Sequence, residues 1–265
     1  MYLAQPKIMN VRNRLLFAFV FAFMLSTCSK NEEEVVEPIR DIQEQAIADD
    51  VALQNYLKSH YYNYKDFENE AYQGEIVIDS INETNSAQLP LSSQVEKEVI
   101  RVRTSEGNFI DHTLYYLVVR EGSGSSPAVV DSTYLSYQGS LLNGVVFDES
   151  TTPIWFDLTS LVRGFKEGAT KLKEGTFSVN EDNTVDFFNY GRGVLFFPSG
   201  MGYFSRASGI IPSYSPLIFK INLYGVKQTD HDGDGILSID EYDTDADGIP
   251  DDTDEDGIPD YLDTE

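Results

Sequence analysis

Ser160-Leu161-Val162-Arg163-Gly164-Phe165-Lys166-Glu167-Gly168-Ala169-Thr170-Lys171-Leu172-Lys173-Glu174-Gly175 reads as a helix set among strands. Leu161, Val162, Phe165, Ala169 and Leu172 recur on one face, so the spacing predicts a helix over residues 161–173. Ser160 stands where a hydroxyl can cap its first turn, and Gly175 stands where it can end. On either side the pattern changes to strands. Residues 114–119 form a β-rich apolar run, closed by the turn chemistry of Gly122-Ser123-Gly124-Ser125-Ser126-Pro127. Residues 129–137 read as a second strand, and Asn143-Gly144 signals a hairpin into residues 145–147. Residues 194–197 and 217–226 supply further strands, after an additional segment at 176–192. The expected class is α+β, an antiparallel sheet wrapped around one short helix.

The order of these elements carries a resemblance. Ser136-Tyr137-Gln138-Gly139, Asn143-Gly144 and Phe147-Asp148-Glu149-Ser150 resemble the opening signature of the FKBP-type peptidyl-prolyl isomerases. Val162-Arg163-Gly164-Phe165-Lys166-Glu167-Gly168 is similar to the family's helix. Phe197-Pro198-Ser199-Gly200-Met201-Gly202-Tyr203, Gly209-Ile210-Ile211-Pro212 and Leu217-Ile218-Phe219 resemble its later segments. Blocks in this order are more specific than any lone short motif. The resemblance implies an isomerase domain over residues 112–228, acting without a cofactor on proline-containing polypeptides. It also implies a pocket of Tyr137, Phe147, Asp148, Leu161, Val162, Phe165, Tyr203, Ile210, Ile211 and Phe219. In that pocket Phe165 would be the floor, the Val162 N–H would meet a substrate carbonyl, and Tyr203 would donate from the rim. Ile154 stands where the family carries an aromatic, and Phe204 stands where it carries glycine. A non-catalytic proline-binding or adhesive surface protein is the alternative reading.

Upstream, Cys28 is the one cysteine of the 265 residues, which excludes an intrachain disulfide and a CxxC site. Lys7, Arg12 and Arg14 precede the uncharged run of residues 15–25, and Leu25-Ser26-Thr27-Cys28 follows, as in a secretory signal. The last four residues resemble a bacterial lipobox. Residues 1–28 are therefore expected to be a lipoprotein signal, with Cys28 acylated and the chain anchored outside the cytoplasm, at the outer membrane. Residues 29–38 read as an acidic tether, beginning with Ser29-Lys30-Asn31-Glu32-Glu33-Glu34, which is similar to surface-export signals of Bacteroidetes lipoproteins. Residues 39–111 read as an extension of amphipathic helix followed by mixed elements, with apolar side chains at Ile42, Ala46, Leu53, Tyr56, Leu57 and Tyr61.

The formal charge of -25 makes nucleic acid an unfavourable partner, because phosphate backbones would be repelled. Much of it is concentrated in residues 229–265, where Asp and Glu number 16 with no Lys or Arg. Asp230, Asp232, Asp234, the Ile236 carbonyl and Glu241 match the ligand spacing of an EF-hand loop. Asp243, Asp245, Asp247, the Ile249 carbonyl, Asp251 and Asp254 make a second set, and Asp252, Asp254, Asp256, the Ile258 carbonyl, Asp260 and Asp263 a third. Proline follows the seventh position of both, leaving no room for an exiting helix, so these resemble thrombospondin type 3-like repeats. Hard oxygen donors at alternating positions suit Ca2+. Without the cation the tail is expected to be extended, with His231 exposed between ligand positions.

Overall fold

The Asn143-Gly144 hairpin forms as expected: Gly144 takes φ 83° and donates its N–H to the Leu141 carbonyl at 2.9 Å, a conformation glycine adopts without a Cβ penalty. It joins β5 (Ser132–Leu141) to β6 (Val146–Asp157), two edge-side strands of a six-stranded antiparallel sheet. The computed structural model describes residues 38–104, 106–245 and 248–264. Cys28, the signal and most of the tether, and Asp247 of the tail lie outside the described residues.

Before the sheet come α1 (Ile42–Ser59), a short pair of β1 (His60–Tyr62) and β2 (Ile78–Ser80), and the single turn α2 (Tyr64–Phe67). The sheet adds β3 (Glu96–Arg103) and β4 (Phe109–Arg120), and it places β9 (Gly191–Phe197) and β10 (Leu217–Lys227) at its centre, between β4 and β5. The expected boundary at residue 112 therefore falls inside β4. The residues from Ile39 onward belong to one structural unit.

The central strand β9 is buried at every position, because both faces of the sheet are covered. On one side Phe197, Leu195, Phe219, Ile221 and Leu223 pack with Phe165, Ala169 and Leu172. On the other, Val194, Phe196 and Ile218 share a cluster with Leu53 and Leu57 of α1. The stripe that α1 buries is Gln45, Ala46, Asp49, Leu53 and Leu57, so two of its five positions are polar.

Four expectations need correction. The helix expected over residues 161–173 is only α3 (Arg163–Ala169), preceded by a 3-10 turn at Leu158–Ser160. Leu161 and Val162 are extended, with ψ of 161° and 145°, and Ser160 donates its hydroxyl to the Asp157 carbonyl instead of capping. Second, β5 starts at Ser132, because residues 128–131 close a turn in which Asp131 accepts the Ala128 N–H at 2.8 Å. Third, the segment at 176–192, read from the sequence only as additional residues with no element, supplies a hairpin of β7 (Thr176–Val179) and β8 (Val185–Phe188), pinned by Phe187 edge-on to Tyr224 at 5.3 Å.

Fourth, the tail is not extended. It carries a short helix α4 (Ser238–Tyr242), and Tyr242 is buried. Lys166 Nζ donates to the Tyr242 hydroxyl at 3.1 Å and Arg163 to the Gly248 carbonyl at 3.2 Å, so the tail lies on the outer side of α3. His231 is not exposed either: its ring meets Ser238 Oγ at 2.7 Å and Asp157 Oδ2 at 3.1 Å. Burial pushes Asp157 up, but Thr159 and then His231 outweigh it and hold its carboxyl below the usual range.

His112 on β4 is 2% exposed, and neither ring nitrogen has a hydrogen-bond partner among the described residues. Burial holds its pKa below 6.5, with Asp111 opposing and Arg163 adding to the shift. Because the folded value lies below the unfolded one, stability is complete above about pH 6.5 and is lost as pH falls toward the folded value. The urea midpoint is expected to drop between pH 7 and pH 5, and His112→Leu to flatten that slope. An equal slope in both proteins would refute the assignment.

Candidate functional site

All ten residues nominated for the pocket line one cavity of about 560 Å³. Its floor is aromatic. Phe165 is 4% exposed and meets Phe219 edge-on at 5.0 Å and Tyr137 at 6.2 Å, while Phe147 meets Phe219 at 5.4 Å. Such crossed pairs favour edge-to-face geometry through the ring quadrupole, which fixes ring orientation as well as burying area. The wall between Phe147 and Phe219 depends on Gly139, where a Cβ would stand 2.5 Å from the Phe147 ring and 2.8 Å from that of Phe219.

Leu161 and Val162 line the cavity from extended backbone, just ahead of the first turn of α3. The Val162 N–H has no partner among the described residues, as expected of a residue at the head of a helix. On the opposite wall the Tyr137 hydroxyl donates to Asp148 Oδ2 at 2.6 Å. Burial, and then this carboxylate, push the Tyr137 pKa up, so the phenol stays protonated and Asp148 is held in place. The rim is Ile210, 60% exposed, and Tyr203, 37% exposed.

Sequence reasoning missed four lining residues: Phe156, Ser160, Ser208 and Gly209. Phe156 matters most, because it supplies the aromatic that Ile154 does not. Ile154 is exposed and lies outside the lining, whereas Phe156 stands edge-on to Tyr137 at 5.5 Å. The available signal was the single aromatic two residues beyond Ile154, inside a β6 longer than expected. Phe204 takes φ 47°, the left-handed region, so the protein keeps the backbone of a glycine with a bulky side chain at a cost of about 1–2 kcal/mol. Its ring packs edge-on to Tyr214 at 5.3 Å.

In the tail, three carboxylate groups converge: Asp230, Asp232 and Asp234; Asp243, Asp245 and Asp251; Asp252, Asp254 and Asp256. Within each group the ligand atoms lie within 4.8 Å of one another. Asp254 thus joins the third set and not the second, while Glu241, Asp260 and Asp263 are outside these groups. Asp232 Oδ2, Glu241 Oε2 and Asp252 Oδ1 are buried with no hydrogen-bond partner among the described residues. Oxygens left in that state fit a hard cation. The pKa of Glu241 is pushed up by burial first, then by Asp234, Asp232, Asp230 and Asp260.

The tail also repeats in its backbone. Asp251 donates its N–H to the Tyr242 carbonyl at 2.9 Å, and Asp260 to the Asp251 carbonyl at 2.8 Å. Thr244 and Thr253 cap these turns, donating their N–H groups to Asp251 and Asp260, both at 2.7 Å.

No family model matches the chain. It is 33% identical over 119 residues to the peptidyl-prolyl cis-trans isomerase Mip of Coxiella burnetii, covering 43% of this chain and 45% of that one. It is 25% identical over 169 residues to the FKBP-type peptidyl-prolyl cis-trans isomerase FkpA of Aeromonas hydrophila, covering 63% and 55%. Among solved structures, a peptidyl-prolyl cis-trans isomerase of Pseudomonas syringae matches with TM-score 0.40 and 19% identity, over 72% of this chain and 100% of that one. The chain spans about half the length of the two curated relatives, and over that span it is similar in sequence to FKBP-type peptidyl-prolyl cis-trans isomerases.

Proposed function

We propose that the sheet and cavity in which residues 112–228 lie act as a peptidyl-prolyl cis-trans isomerase that helps exported polypeptides fold. The observation that carries this reading is the convergence of all ten nominated residues on one aromatic cavity. X-Pro rotation faces a barrier of about 18–20 kcal/mol because resonance keeps the amide planar. A dry aromatic cavity grips the proline ring and strips water from the amide carbonyl, which disfavours the planar state relative to the twisted one. The unpartnered Val162 N–H would take a substrate carbonyl, and the Tyr203 hydroxyl would donate at the rim. Asp148, fixed by Tyr137, sets a negative charge against the polarised amide. No nucleophile, cofactor or metal is required by this chemistry.

The signal pattern before Cys28 supports a lipid-anchored, extracytoplasmic chain at the outer membrane, with residues 29–38 as tether. Among the described residues no helix is long and apolar enough to cross a membrane. The orphaned oxygens of Asp232, Glu241 and Asp252 support Ca2+ in the tail, held by the three sets named above with Ile236, Ile249 and Ile258 adding carbonyls. There the ion would cancel carboxylate repulsion and stiffen the loops.

A peptide assay of cis-to-trans exchange tests the isomerase. The wild type is expected to accelerate exchange over the uncatalysed rate, and Tyr203→Phe to lower kcat/KM by roughly 10-fold, the worth of one hydrogen bond of about 1.4 kcal/mol. No acceleration by the wild type would leave the proline-binding or adhesive reading.

A further inference from the structure

Residues 199–214 carry Tyr203, Ser208, Gly209, Ile210 and Ile211 of the cavity lining. The segment is irregular: a 3-10 turn at Ser199–Met201, one bridge between Ser208 and Ile211, and left-handed φ values at Phe204 and Tyr214. A loop built this way has few ladder bonds to hold side chains over a cavity. Its two ends are joined at the base, where Phe204 donates its N–H to the Ser199 carbonyl at 2.9 Å and Tyr214 to the Phe204 carbonyl at 2.6 Å.

Both ends are also held from outside, by α1 and the residue that leads into it. Asp49, 3% exposed, accepts on Oδ2 the Ser199 N–H at 2.8 Å and the Ser199 hydroxyl at 2.5 Å. Its Oδ1 accepts from Gln45 Nε2 at 2.6 Å, and Gln45 Oε1 accepts from Arg40 at 2.9 Å. Arg40 reaches the other end of the loop. Its N–H donates to the Tyr214 hydroxyl at 3.1 Å, and its guanidinium lies 4.3 Å from the centre of that ring.

A carboxylate on the buried stripe of a helix is costly, and among the described residues no Lys, Arg or His pairs directly with Asp49. An apolar side chain would pack there at less cost. What the carboxylate supplies is a pair of charge-assisted bonds to Ser199, stronger than neutral ones and directional. We propose that Asp49 is a positioning residue for the cavity: through Ser199, and with Arg40 on Tyr214, helix α1 holds the 199–214 loop over the Phe165 floor. The assignment rests on reading the cavity as a proline site. It makes residues 40–49 part of that site, although they touch no substrate.

The test uses the full chain with Asp49→Leu, Asp49→Asn, Ser199→Ala and, as a stability control on α1, Leu57→Ala. Two readouts are needed: hydrogen exchange of the amides of residues 199–214, and KM against kcat for an X-Pro peptide. Asp49→Leu is expected to speed loop exchange roughly 10-fold or more while the β9 and β10 amides keep their protection. KM should rise roughly 10-fold with kcat changed less, because the loop grips ground and twisted states alike. Asp49→Asn, whose amide oxygen still accepts from Ser199, should recover part of both effects, and Ser199→Ala, which keeps the N–H bond, should show a smaller version. Should Asp49→Leu not fold, the Ser199→Ala and Asp49→Asn pair carries the same comparison. Unchanged loop exchange, or an equal change in Leu57→Ala, would overturn the proposal. A wild type that neither binds nor turns over the peptide removes the proline reading, and the exchange result then decides alone whether Asp49 holds the loop.

Discussion

Phe165→Ala is expected to remove turnover of an X-Pro peptide and to cost the fold about 3–5 kcal/mol. The ring is 4% exposed and stands crossed against both Phe219 and Tyr137, so its loss opens the cavity floor into the main core. Without a floor the proline ring has nothing to pack against, and water enters to solvate the amide carbonyl. Both changes restore the ordinary barrier. The measurement is a urea titration beside the exchange assay at a temperature where the variant is still folded. Phe165→Leu separates the two effects, since it keeps much of the volume and should recover more stability than rate. A folded Phe165→Ala protein with wild-type kcat/KM would rule out the aromatic-cavity mechanism.

Calcium is expected to raise the thermal midpoint of the whole chain, not only of the tail. A site filled at about 100 times its Kd adds about 2.7 kcal/mol to the state that binds. The tail is bonded to α3 through Lys166 to Tyr242 and Arg163 to Gly248, so ordering it should register in the melt of the sheet that α3 covers. Calorimetric titration of the full chain with Ca2+ should show binding, and Asp232→Ala with Glu241→Ala should delete the contribution of the first loop. A midpoint and a titration that ignore Ca2+ would remove the metal reading of the tail.

Much of the pocket was legible because its blocks combine local turn chemistry with strand alternation, both of which are written in short stretches of sequence. The hairpin at Asn143-Gly144 and the aromatic set of Tyr137, Phe147 and Phe219 are of this kind. Helix length was misread because apolar spacing at Leu161, Val162, Phe165, Ala169 and Leu172 does not distinguish a helix face from extended residues lining a cavity. Phe156 was hidden because a register shift between the Leu135 and Tyr137 pairings lengthens β6 through Thr151-Thr152-Pro153. The role of Asp49 could not be read from α1 alone. A polar residue in an apolar stripe looks like noise until Ser199, 150 residues away, is placed against it.

The backbone of the tail, with Tyr242, Asp251 and Asp260 bonded in succession, is indexed in nines. The last turn also comes back to the first loop, where the Tyr261 ring lies 5.6 Å from that of His231 and 5.4 Å from that of Tyr242. Such a tail behaves as a clasp: deleting or adding one nine-residue unit is expected to pull Tyr261 off His231 and Tyr242, so the first loop loses its cover along with the last.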